Sequence, residues 1–236
     1  MIRIRSVAAL GVGFLAALSP RAIEAQPLEV ASLESRVADE PLIWLESLGG
    51  STGDVMKLHV VNPGPDPVAI DGYFALEPVD LTAQERDRIF ESVKGAAGNH
   101  VEAVISFYCL EFGAAAPAAG VVYRIAPRAA QEAFAPAARA LEVARRLNDA
   151  GLLSPDTNPE SYFHSIRQWS IWTLEKGFDR EGFLSAFAEH TRKNAEARGM
   201  EWTDAVAQAV RTSAEGRWRD VAKILEEAGR SGAGSR

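Results

Sequence analysis

A single change of hydrophobic period, near residue 127, constrains this 236-residue chain more than any other feature. Before it, apolar and polar residues alternate in short runs broken by Gly and Pro. After it, apolar residues recur every three or four positions to the end of the chain. A period of two is that of a half-buried strand, and 3.6 is that of an amphipathic helix. Strands gathered ahead of helices, with no alternation of the two, predict an α+β fold. The expected architecture is an antiparallel, β-sandwich-like part over residues 26–127, a helical part over 128–229, and a flexible Ser/Gly-rich tail over 230–236.

Within the first part, residues 55–61 alternate and are rich in β-branched side chains. The run Asn62-Pro63-Gly64-Pro65-Asp66-Pro67 that follows is a turn, because Pro presets φ and Gly admits conformations closed to other residues. Residues 68–76 then read as the return strand. A strand, a turn and a strand of this length predict a hairpin of the immunoglobulin-like kind. Residues 42–48, 103–109 and 121–125 read as further strands. Residues 82–93 read as a short helix, with Thr82 as cap and Glu85 three positions on.

In the second part Phe134, Ala137, Leu141, Ala144 and Leu147 share one helix face, and Gly151 ends that helix. Asn158 caps the next helix, with Pro159 at its first position and Gly177 just past its end. Asp179 caps a third, in which Phe183, Phe187 and His190 follow one another on one side. Thr203 caps a fourth that carries Val206 and Val210. A last helix, from about Trp218, buries Val221 and Ile224 or Leu225.

The chain opens with a basic start (Arg3, Arg5), an apolar stretch over residues 7–18, and the small Ala25 before a cleavage point. These are the parts of a secretory signal over residues 1–25, and the apolar stretch falls short of the roughly 20 residues that span a bilayer. The expected product is exported, periplasmic or secreted, with no membrane span in the mature chain. Losing residues 1–25 removes three Arg and one Glu, which takes the formal charge from −7 to −9. An acidic surface repels a phosphate backbone, so no nucleic-acid partner is expected. His59, His100, His164 and His190 show no metal-ligand spacing, and no glycine-rich phosphate loop occurs. Neither a metal nor a cofactor is expected.

Cys109 is the only cysteine, in the run Phe107-Tyr108-Cys109-Leu110-Glu111. A lone thiol in an exported chain is buried, pairs with another molecule, or does chemistry. Far downstream, Gln168 stands among aromatic residues in Arg167-Gln168-Trp169-Ser170-Ile171-Trp172. Cys and Gln are the two reactants of an internal thioester: the thiolate attacks the side-chain amide and ammonia leaves. An amide is a poor electrophile, so the fold must align the two groups and exclude water; alignment of this kind contributes about 7–11 kcal/mol. His164 lies one turn before Gln168 on the same helix face, where an imidazole can move a proton between thiol and leaving group. Trp169 and Trp172 would shield the site, and Arg167 is expected to point to water.

The segments Tyr108-Cys109-Leu110-Glu111 and Arg167-Gln168-Trp169-Ser170-Ile171-Trp172 together resemble the thioester domains of bacterial surface adhesins. The resemblance covers roughly residues 105–190. It implies a mixed β/helical fold, a bond between Cys109 and Gln168 that forms spontaneously, and covalent capture of an amine on a protein or surface partner. Such a protein is not an enzyme in the turnover sense. The residues themselves leave two other classes open: a non-catalytic interaction module without covalent chemistry, and a cysteine hydrolase built on Cys109 and a histidine. The hydrolase fits poorly, because a strand-borne Cys has no helix N-terminus beside it to favour the thiolate.

Overall fold

The computed structural model describes residues 2–6, 21–23, 42–49, 52–61, 68–70, 73–79, 88–91, 100–113, 116–154 and 158–233. Among the described residues nine strands come first: β1 (Ile2–Ser6), β2 (Arg21–Ile23), β3 (Leu42–Ser47), β4 (Thr52–Val61), β5 (Val68–Ile70), β6 (Tyr73–Pro78), β7 (Arg88–Glu91), β8 (His100–Cys109) and β9 (Val122–Ile125). Five helices follow: α1 (Arg128–Ala133), α2 (Ala135–Asp149), α3 (Pro159–Lys176), α4 (Arg180–Ala197) and α5 (Asp204–Ala233). The class is α+β. The chain divides into two compact units, Met1–Ala135 and Pro136–Arg236.

In the first unit six strands pair antiparallel in the order β3-β4-β8-β7-β6-β9, and β9 closes back on β3. This is one sheet curled into a barrel, where two facing sheets are expected from the hairpin-like run. The difference lies in the pairing. Both edges of β4 are taken, by β3 and β8. The run expected to return along β4 instead divides into β5 and β6, and β6 pairs with β7 and β9. A register shift between Asp54 and Met56 marks a bulge, which adds the twist that closure needs. Closing the ring gives each of its six strands a neighbour on either side. The connecting turn, residues 62–67, lies outside the described residues.

The expected helix over 82–93 is also corrected: residues 88–91 form β7, while 80–87 lie outside the described residues. Pairing with β6 on one side and β8 on the other overrides the local helix signal there. Alternation then sorts most of the barrel side chains, although Ala75 and Tyr108 are buried on the opposite parity. Ile43, Leu45, Met56, Leu58, Phe74, Leu76, Ile105, Phe107, Tyr123 and Ile125 form one buried cluster inside. Helix α1 is tied to the wall by Gln131, whose side-chain amide donates to the carbonyls of Ala75 and Ala126 and accepts from the Ala75 amide, all at 2.8 Å.

Strands β1 and β2 fall within the expected export signal and join β5 in a separate three-stranded sheet. The apolar stretch between them lies outside the described residues.

In the second unit the helix ends lie where their chemistry dictates. The Asn158 side chain accepts from the Ser161 amide at α3, and Gly177 closes that helix at φ 65°, a left-handed conformation that suits Gly. Asp179 accepts from the Gly182 amide at α4, and Thr203 from the Val206 amide at α5. The two helices expected after residue 203 are one. α5 runs unbroken through Gly216, because Ala214, Val221 and Ile224 bury a continuous stripe on either side of it. That burial outweighs the roughly 1 kcal/mol penalty of one interior Gly. The helix runs on to Ala233, into the stretch where a flexible tail is expected. α5 packs against both α3 and α4. Among the described residues no helix is long and apolar enough to cross a membrane.

Candidate functional site

Cys109 closes β8. It has the same parity as Ile105 and Phe107, which face the barrel interior, and it is 1 % exposed. Its neighbours Tyr108 and Leu110 are buried as well. The thiol donates to the Glu111 carbonyl at 3.0 Å, across the turn that leaves the strand. The sulfur is thus held at a strand end in dry surroundings.

Gln168 sits in the middle of α3, in the second unit. Every residue from Ile166 to Thr173 is buried, so this part of the helix is covered all round. Gln168 is 3 % exposed and is buried together with Ile171 and Trp172, as the spacing predicts. Trp169 and Trp172 meet edge to face, with centroids 5.1 Å apart, and Trp169 also contacts Phe183 and Phe187 of α4. The expectation that Arg167 points to water is overturned. It is 2 % exposed, with its guanidinium 5.0 Å above the Phe163 ring. A helix covered on all sides leaves no face for a solvated charge, and the planar guanidinium is the cation best suited to lie on an aromatic ring.

His164 is half-buried, one turn ahead of Gln168 on the same helix. A second histidine borders this region. His190 of α4 packs edge-on against Trp169 and Trp172, at 5.7 and 5.4 Å between centroids. Burial, and then the charge of Lys193, lower its pKa below the ordinary histidine value. Asn194 lies 3.0 Å from its Nε2. Gln168, His164 and His190 therefore belong to the second unit and Cys109 to the first.

Two polar clusters escaped the reading of the sequence. On the outer face of the barrel, His59 stacks on Trp44 at 4.7 Å, with Glu102 at 3.3 Å from Nδ1 and Glu46 at 3.6 Å from Nε2. These residues alternate on β3, β4 and β8, but the β3–β4 register that brings them together is not visible in any one segment. In the helical unit, buried Asp220 accepts from the Tyr162 hydroxyl (2.8 Å), the Ser154 amide (2.9 Å) and the Ser154 hydroxyl (3.2 Å). Burial and the Asp220 carboxylate raise the Tyr162 pKa to about 12. Among the described residues no group of three His, Cys, Asp or Glu side chains is placed to hold a metal ion. In comparisons with family models, curated proteins and solved structures the chain matches none.

Proposed function

We propose that the chain is an exported protein in which Cys109 and Gln168 form an internal thioester that captures a partner amine. The observation that carries this reading is the burial of both reactants, at 1 % and 3 % exposure. An acyl–sulfur bond persists only where water is excluded, and a glutamine side chain is seldom fully buried. The aromatic shell of Trp169 and Trp172 supplies that exclusion on the Gln168 side.

The chemistry balances without a co-reactant. The Cys109 sulfur bonds to the Gln168 Cδ, the C–N bond breaks, and the thiol proton leaves with ammonia. A primary amine on the partner then attacks the same carbon. A new C–N bond forms, the C–S bond breaks, and a proton returns to the sulfur. The product is an isopeptide link and a restored thiol. His164, one turn from Gln168, is the proposed proton carrier.

Intact mass tests the first step, since the bonded form is lighter by one ammonia and resists thiol alkylation. Methylamine should add at Gln168 and expose Cys109 to alkylation, and Cys109→Ala should abolish that labelling. A full-mass chain whose Cys109 alkylates on mild unfolding, with no methylamine adduct, would leave a non-catalytic interaction module. The thiol donating to the Glu111 carbonyl is the geometry that this second reading would keep.

A further inference from the structure

A cavity of about 400 Å³ opens where α2 ends and α3 begins, lined by Asn148, Leu153, Ser154, Tyr162, Phe163 and Ile166 among others. Gly151, at φ 67°, turns the chain beside it, and the Leu152 amide is tied back to the Leu147 carbonyl. The volume falls within the roughly 300–1,000 Å³ of small-molecule sites. Its walls are mostly apolar: Leu153, Phe163 and Ile166.

The deeper polar groups are unusual in what they offer. The hydroxyls of Tyr162 and Ser154 both direct their protons at Asp220, at 2.8 and 3.2 Å. What remains to each oxygen is acceptor capacity. Tyr162 keeps its proton throughout the neutral range. The Asp220 charge is held by three donors, and cations stand close by. The Arg217 guanidinium lies 4.8 Å above the Tyr162 ring, and the Lys223 Nζ is bonded to the Leu152 carbonyl at 3.1 Å. These charged groups stand behind the walls, and none of the residues that line the cavity carries a charge. Only Asn148, at its exposed rim, offers a donor as well as an acceptor side chain.

We propose that this cavity binds a small neutral aromatic molecule carrying one O–H or N–H donor, the class of phenols and indoles. The ring meets Phe163, Leu153 and Ile166, and the donor meets the lone pairs of Tyr162 and Ser154. The site stands apart from the thioester reading, since it involves neither Cys109 nor Gln168.

The probes are phenol, indole and toluene, titrated into the ¹⁵N-labelled full chain. Phenol and indole should give saturable amide shifts at Gly151, Ser154 and Phe163. Toluene, which has the ring without the donor, should bind several-fold more weakly. Ser154→Ala should weaken phenol binding about five-fold, the size of one net hydrogen bond. Leu153→Trp, which fills the cavity from a half-buried position, should abolish the shifts while the rest of the amide spectrum stays in place. Cys109→Ala should leave phenol binding unchanged, which separates this site from the thioester. The proposal is overturned if no saturable shifts appear, if toluene binds as well as phenol, or if the shifts survive Leu153→Trp.

Discussion

The barrel interior is aliphatic and aromatic from Ile43 to Ile125, whereas the core of the helical unit holds Arg167, Gln168, Ser170, Thr173 and Asp220. The barrel sends its polar groups outward instead. Glu46, Lys57, His59 and Glu102 all stand on the outer face, and Ser47 is buried at the end of β3. The difference follows from local geometry. A strand gives each side chain one of two faces, so a closed barrel sorts most apolar side chains from polar ones, with Ser47 and His59 as its buried polar residues. A helix covered all round, as α3 is from Ile166 to Thr173, has no outside to send a polar residue to. Such a residue costs free energy unless it finds a partner within, as Ser170 and Asp220 do. The barrel buries mainly apolar side chains together with the Cys109 thiol, and the helical unit buries most of the polar ones.

Removing barrel packing should have the largest effect. Phe107 is fully buried in the apolar cluster, and Phe107→Ala leaves a cavity that β4 and β8, hydrogen-bonded along their lengths, cannot collapse to fill. The expected loss is about 3–5 kcal/mol in urea unfolding. Ser170→Ala is the matched change in the helical unit. That hydroxyl only donates back to the Ile166 carbonyl of its own helix, so the expected loss is under about 1 kcal/mol. Equal losses for the two variants would show that the units do not differ in the way their cores are built.

The polar core of the helical unit comes next. Asp220→Ala removes the acceptor of three hydrogen bonds and leaves the Tyr162 hydroxyl and the Ser154 amide facing an apolar methyl. A loss of about 2–4 kcal/mol is expected. The same network makes an alkaline prediction. The folded pKa of Tyr162 is raised to about 12, above its ordinary 10.0, so its contribution is complete below pH 10 and is lost as pH rises toward 12. Tyr162→Phe should flatten that part of the stability profile. A profile unchanged by the substitution would mean that the phenol is not the group being titrated.

What the sequence made legible is local. Strands β3 and β9 show in their alternation, and the starts of α3, α4 and α5 show in Asn158, Asp179 and Thr203, because a cap satisfies amides two or three residues away. What stayed hidden is non-local. Residues 55–61 and 68–76 look like partners because only a turn separates them, yet β3 and β8 hold both edges of β4. Four residues of β7 carry too little pattern to outweigh a nearby capping box, and only their neighbours make them a strand. The separate helix expected from about Trp218 merges with the one before it, because the stripe through Ala214, Val221 and Ile224 continues past Gly216. The same holds for the site. That Gln168 is buried could be read from its neighbours Trp169, Ile171 and Trp172. The burial of Arg167 could not, since it depends on α3 being covered on every side.

Capping tests that local layer directly. Asn158→Ala removes the oxygen that accepts from the Ser161 amide at 3.2 Å, and Asp179→Ala removes the one that accepts from the Gly182 amide at 2.8 Å. Each should cost about 1 kcal/mol, with Asn158→Gly milder than Asn158→Ala. If the alanine variants match the parent, then packing alone places these helix ends and the capping residues are incidental.

The smallest expected effect is the acid response of the helical unit, and its sign follows from His190. That ring is half-buried against Trp169 and Trp172, and the charges and dipoles near it on α4 are Lys193 and Asn194. Burial first, and Lys193 second, hold its pKa below the ordinary value of 6.5. The unfolded chain then binds the proton more readily than the folded one. The contribution of neutral His190 is complete above about pH 6.5 and declines as pH falls from there toward the lowered folded pKa. Thermal midpoints measured at about pH 7.5 and about pH 5.5 should therefore drop more for the parent than for His190→Phe, which keeps a ring on the two indoles and cannot titrate. The opposite order would mean that protonated His190 finds an acceptor in the fold. Polar groups inside the helical unit would then extend to a charged ring at its margin, and the contrast with the barrel would be sharper still.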